Sequence, residues 1–128
     1  MRIDPAAVLH SYIASLPVMR GVMVSGTRVD RSKGQPTIVL EHAGGYRVVR
    51  DRADRAELVT HVYHQSMTLA AGMSYDLRSA LLEDLPGQVV AGALVLDVAE
   101  VHAPLFLPDS MTGEYRYVHS IAAYLTDA

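Results

Sequence analysis

With no cysteine in the chain, any chemistry has to start from histidines, carboxylates and arginines. Disulfides, zinc–thiolate sites and thiol nucleophiles are therefore set aside. His61 and His64 lie three residues apart, a spacing at which two imidazoles on one helix face can share a metal ion with a carboxylate as third ligand. The positions one turn away hold only Glu57 and Thr68, so a pair of surface histidines explains the spacing better than a metal centre. His102 and His119 can meet across the last two strands, where polar cross-strand pairing accounts for them without catalysis. Asp97 and Glu100 project to opposite faces of a strand and make a poor general acid–base pair. No G-x-S-x-G elbow, P-loop, G-x-G-x-x-G or H-E-x-x-H is present. Gly44-Gly45 reads as a turn with no helix behind it, which argues against a phosphate cradle. Arg47, Arg50, Arg52 and Arg55, with Arg28, Arg31 and Lys33, form the densest basic group. Glu41, Asp51, Asp54 and Glu57 interleave with them, no aromatic ladder accompanies them, and the net charge is −3. Salt-bridged surface fits this better than a nucleic-acid site. The residues therefore point to a binding or assembly domain without catalytic, cofactor or metal site; a small metal or acid–base enzyme using His61, His64, His102 or His119 is the competing class.

The elements that must position these groups are led by Asp54–Leu85. Leu58, Val59, Val62, Tyr63, Leu69, Ala70, Met73, Leu77, Ala80 and Leu81 recur there at spacings of three and four, which predicts one amphipathic helix. Asp54 is its expected N-cap, and Pro86-Gly87 ends it. A helix of about thirty residues is roughly 45 Å long, whereas a compact chain of this size is about 36 Å across. The rod must break, with Gly72 the weak point, or project from the domain toward a neighbour. An earlier helix opens at Asp4-Pro5 and stops at Pro17. Strands are expected over 20–28, 37–42, 46–51, from about Ala93 to His102, and over 115–126, with Ala43-Gly44-Gly45 turning a hairpin. Residues 29–36 read as a basic loop. The segment 103–114 carries Leu105, Phe106, Leu107 and Met111 among prolines and is expected to stay out of the sheet, either folding back on the core or docking on a partner. The fold class is α+β: an antiparallel or mixed β-sheet with an N-terminal helix and one long central helix packed on it.

Length and composition fit one domain over residues 1–128, with half the residues hydrophobic and a fifth charged. The opening residues lack the apolar run of a signal peptide, and the longest apolar or glycine run, Val89–Leu96, is too short for a bilayer span. A soluble, non-secreted protein with no membrane partner is expected. Charge is uneven. Residues 1–64 carry nine Lys/Arg against six Asp/Glu, and residues 65–128 two against eight. Such polarity can make one face of a protomer complementary to the opposite face of the next.

The C-terminal segment DVAEVHAPLFLPDSMTGEYRYVHSIAAYL resembles the closing strands of tail terminator (tail-completion, minor tail, gpU-like) proteins of long-tailed bacteriophages. There a strand ends in a Pro-containing turn, and P-D-x-x-T-G-x-x-R-Y leads into a final strand. Pro104, Pro108-Asp109, Thr112-Gly113 and Arg116-Tyr117 stand at those places, whereas the close YLTDA replaces the family's terminal arginine. The resemblance implies a structural protein of the virion tail or neck, present in the host cytoplasm during assembly. It implies a homo-oligomer, a hexameric ring, which caps the head-proximal end of the tail tube, stops its polymerisation and forms the head–tail joining surface. The implied partners are the tail tube protein, a head-completion or connector protein, and genomic DNA passing through the lumen without sequence-specific contact. A head-completion or connector protein is itself the nearest rival within this class. On this reading Arg28, Arg31, Lys33, Pro104, Leu105, Phe106, Leu107, Pro108, Asp109, Met111 and Arg116 are the candidate assembly contacts.

Overall fold

The computed structural model describes residues 3–26, 34–50 and 52–128. Helix α1 (Pro5–Ser15) begins as its sequence requires: the Asp4 carboxylate accepts from the amides of Ala6 and Ala7 at 3.1 and 3.3 Å, with Pro5 in the first turn. A short 3₁₀ turn (Pro17–Met19) leads to strand β1 (Met23–Ser25). Two long hairpins follow. One joins β2 (Thr37–Val49) to β3 (Ala53–His64); the other joins β5 (Ala93–Phe106) to β6 (Tyr115–Asp127). Between them come helix α2 (Met67–Ser79), a π-turn (Ala80–Asp84) and the two-residue strand β4 (Val89–Val90). The six strands form one mixed sheet in the order β1-β2-β3-β6-β5-β4. Among the described residues only β1 and β2 are parallel within it. An α+β arrangement with a mixed sheet is as expected; the single long central helix is not.

The difference lies in 54–64. These residues form the central strand β3, hydrogen-bonded to β2 on one side and β6 on the other. Ala56, Leu58, Thr60 and Val62 are buried beneath the helices, while Arg55, Glu57, Val59 and His61 face the other way, partly exposed. That is a period of two. Val59, Thr60, Val62 and Tyr63 bring β-branched and aromatic side chains that favour a strand. The helical spacing arose because Tyr63 is also buried, on the opposite face, under the Arg116 guanidinium 5.9 Å from its ring. The helix starts at Ser66, whose hydroxyl accepts from the Leu69 amide at 3.3 Å. Residues 67–84 together span about 27 Å, which fits the domain. Nothing projects, so helix length gives no argument for a partner.

Two smaller expectations also change. Ala43-Gly44-Gly45 is not a hairpin turn but a bulge inside β2, marked by the register shift between His42 and Gly45. Residues 46–49 continue β2 and pair with β3 instead, so they do not pair with 37–42; Asp51 lies outside the described residues. Residues 103–106 belong to β5, with Leu105 opposite Val118 and Phe106 opposite Tyr117. Pro104 is tolerated because β5 lies at the sheet edge along that stretch among the described residues.

Both helices pack on one face of the sheet. Val8, Leu9, Tyr12 and Ile13 of α1 and Leu77, Leu81 and Leu85 of the α2 segment meet Ile38, Leu58, Val62, Val95, Ile121 and Leu125 of the strands. The Tyr12 hydroxyl donates to the Ala80 carbonyl at 3.0 Å. Leu85 donates its amide to the same carbonyl at 3.0 Å, closing the π-turn.

Candidate assembly surface

Polar chemistry is concentrated where α2 crosses β5 and β6. The Arg78 guanidinium grips Glu100 through Nε and Nη2 at 2.6 and 2.8 Å. Glu100 Oε2 in turn accepts from His119 Nε2 at 3.0 Å. The Arg78 hydrogen bonds, with a smaller contribution from His119, hold the Glu100 carboxyl down to about 2 against the opposing effect of desolvation. Burial pushes the His119 imidazole below its usual value, more than Glu100 draws it up. His119 is therefore neutral at pH 7 with its proton on Nε2, since the carboxylate can only accept. Its Nδ1 and the Ser74 hydroxyl have no hydrogen-bond partner among the described residues. Both residues are 1% exposed. A serine, a histidine and a glutamate on packed elements suggest a hydrolase triad, but no substrate reaches a hydroxyl sealed in this way. The cluster joins the helix layer to the sheet edge.

The other histidines are dispersed. His61 and His64 lie on β3, on opposite faces. His61 Nε2 meets Glu41 at 3.1 Å, and His64 Nδ1 accepts from the Ser66 amide at 2.9 Å. His119 takes Glu100 as partner rather than His102, which sits opposite Ser120. Among the described residues no three metal-ligating side chains converge.

The segment after β5 is a built turn. Asp109, 5% exposed, accepts from the Met111 amide through its carboxylate at 3.0 Å and pairs backbone to backbone with Gly113 and Glu114. The Thr112 hydroxyl accepts from the Glu114 amide at 3.3 Å, and Gly113 takes φ +72°. Arg116 Nε donates to the Leu107 carbonyl at 2.9 Å, and Phe106 rests against Tyr115 and Tyr117 with ring centroids 6.1 and 5.3 Å away. So Asp109, Thr112, Gly113 and Arg116 shape the turn, and Phe106 anchors it. Leu105, Leu107 and Met111 are left on its surface, Met111 at 85% exposed, with Pro108 also exposed and Pro104 half-buried. Arg28, Arg31 and Lys33 lie outside the described residues.

A second surface was not anticipated: the sheet edges. Among the described residues β1 covers β2 only at Thr37–Val39, and β4 covers β5 only at Ala93 and Leu94. Beyond those caps, 41–49 of β2 and most of 96–103 of β5 are exposed. Tyr46, Val48 and Val49 stand out on one edge and Leu96 and Val101 on the other. Beside the β2 edge a groove of about 550 Å³ runs toward the start of α1, lined in part by His42, Tyr46, Arg47, Arg50 and Arg55. Arg55 lies over the Tyr46 ring at 5.4 Å and donates to Glu57 at 2.7 Å, and Arg47 donates to Asp54 at 2.6 Å. Two of the four arginines of this arm are thus engaged in ion pairs, as the interleaved carboxylates led one to expect.

No family model and no curated protein matches the sequence. Solved structures do match the fold. A chain of the "Virion of native gene transfer agent (GTA) particle" superposes with a TM-score of 0.71 at 11% identity, covering 95% of this chain and 94% of that one. The likeness runs nearly the full length of both chains. At that identity it establishes shared architecture.

Proposed function

We propose that this protein is a structural component of a phage-like virion, of the tail terminator kind. Copies of the chain form a ring, hexameric in this reading, on the head-proximal end of the tail tube; the ring ends tube growth and offers the surface on which the head docks. One observation carries the proposal: the end-to-end fold similarity to a chain of a gene transfer agent virion. The P-D-x-x-T-G-x-x-R-Y turn at 108–117 supports it, because those residues build a hydrogen-bonded turn with exposed apolar side chains rather than a catalytic centre. The sealed state of Ser74 and His119 supports a non-enzymatic role. The exposed Leu105, Leu107 and Met111 suit contact with a neighbouring virion protein, tube or connector. DNA passes through the lumen without sequence-specific contact.

The test is solution mass by light scattering across concentration, with electron micrographs of any large species. Particles of about six 13.9 kDa protomers with a central hole are expected. A monomer at every concentration, with no binding to isolated tail tubes, would refute the reading. Rings that bind a portal or head fragment but not tubes would make the protein a neck connector instead.

A further inference from the structure

We infer that copies of this chain join by antiparallel pairing of the β2 edge of one with the β5 edge of the next. The inference rests on the ring reading and names the surface that would close it.

Three observations carry it. The first is register. Glu41 lies in one row with Val59, Ser120 and His102, and Tyr46 in one row with Arg55, Tyr124 and Asp97. Between those rows β3 advances four residues (55 to 59), and so does β6 (120 to 124). The edge strands each advance five: 41 to 46 on β2 and 97 to 102 on β5. Each edge carries one bulge in the same interval, after His42 on β2 and between Glu100 and His102 on β5. Bulged edges resist pairing with a regular strand. Two edges with the same extra residue stay in step with each other over Glu41–Tyr46 and Asp97–His102.

The second is direction. β2, β3, β6 and β5 alternate along the sheet, so a copy rotated about an axis along the strands sets its β2 antiparallel to this β5. The free stretches also fall at the same height. The caps sit at opposite ends, β1 on 37–39 and β4 on 93–94, and leave both edges open between the two rows among the described residues.

The third is charge. On the exposed stretches, 96–103 of β5 carries Asp97 and Glu100 and no Lys or Arg, whereas 41–50 carries Arg47 and Arg50 against Glu41. Pairing β5 with β5 would set carboxylates side by side. Pairing β2 with β5 sets a stretch of net positive charge against one of net negative charge, and it is head-to-tail, the contact that generates a ring when the rotation closes.

The cysteine-free chain permits a direct test with two double variants, Glu41→Cys/His102→Cys and Tyr46→Cys/Asp97→Cys. The two edges of one copy are separated by three strand spacings, roughly 14 Å, beyond disulfide reach. Any bond is therefore between copies. The rows are five residues apart, so one of them falls at a non-hydrogen-bonded position, where the Cβ atoms approach most closely. The expected result, on protein shown by light scattering to be assembled, is a covalent ladder on non-reducing gels that ends at the ring size for at least one pair. The four single-cysteine variants should give none. Assembled particles with no ladder from either pair would overturn the edge pairing and leave the ring. Dimers from a single variant would point to a like-with-like contact and overturn it as well. Protein that stays monomeric at every concentration and on tail tubes would remove both readings.

Discussion

The two central strands and the two edge strands of this sheet are built to opposite specifications. β3 alternates buried with half-buried residues almost from end to end, β6 is buried or half-buried throughout 116–126, and Leu58 and Ile121 at their centre are fully enclosed. β2 is buried over its first four residues and exposed over its last nine, and β5 loses its cover after Val98 except where Pro104 and Phe106 turn back. Both kinds of strand have similar length. The difference is therefore not one of length. A strand hydrogen-bonded on both sides and packed under helices is specified by the chain alone, whereas an edge left bare for nine residues among the described residues is specified for something else. Stability resides in the centre, and the proposed association falls to the edges.

The sharpest break in that contrast comes from truncation. Leu58→Ala or Ile121→Ala should cost about 2–5 kcal/mol by opening a cavity beneath the helices. Leu96→Ala or Val101→Ala should stay within about 0.5 kcal/mol in the monomer. Urea denaturation of the four variants checks it. A comparable loss at an edge position would mean that the edge is part of the core.

An intermediate effect is expected where edge and centre touch. At Gly45, φ +139°, an added Cβ would fall 1.9 Å from the Arg55 carbonyl oxygen. Gly45→Ala should therefore cost about 1–3 kcal/mol by spreading the β2 bulge from β3. Gly44→Ala, with no atom within 4 Å of its Cβ but φ +98°, should carry only the backbone penalty. The difference between the two, read from thermal melts, isolates the close approach of the strands.

Much of this organisation is legible in the sequence, and the exceptions have physical causes. Asp4-Pro5 announced α1, and Pro86-Gly87 the end of the α2 segment, because caps act through neighbouring atoms. The strand 54–64 was hidden because its two faces are both partly buried, so apolar residues fell at helical spacings as well as alternate ones. Ser66, the real N-cap, was the overlooked signal. Phe106 and Leu105 joined the sheet despite the prolines because an edge strand needs hydrogen bonds on one side only. The Arg78–Glu100–His119 cluster has no local pattern, being assembled from three elements. Its one trace is His119 in register with Ile121, Ala123 and Leu125, a polar residue on a buried face that must find a partner.

That cluster ties the β5 edge to the helices, and pH should loosen it. Both groups have folded values below their unfolded ones, so both stabilise the fold at neutral pH and cease to as acid is added. The unfolded chain binds a proton at its ordinary histidine value of 6.5 while His119 resists, so stability falls first below about that pH. A second decline, belonging to Glu100, runs from 4.5 down to about 2. Glu100→Ala should leave the buried His119 N–H unpaired, at about 1–3 kcal/mol, and flatten the lower decline. Denaturation midpoints from pH 8 to pH 3 test this; an unchanged slope below 4.5 in the variant would show that other carboxylates govern it.

The smallest effect on stability should accompany the largest on docking. Leu107→Ser/Met111→Ser removes two exposed apolar side chains from the tip of the 107–114 turn, and their loss should move the denaturation midpoint by no more than about 0.5 kcal/mol. Asp109→Ala removes the buried acceptor that shapes the same turn and should cost about 1–2 kcal/mol. If the tip is a contact surface, the double variant keeps its solution mass but binds isolated tail tubes or head fragments far less well than the parent. Asp109→Ala then loses stability and binding together. If instead the double variant melts early and binds normally, the apolar tip covers its own core, and the contacts of the proposed assembly must be sought on the sheet edges and the arginine arm.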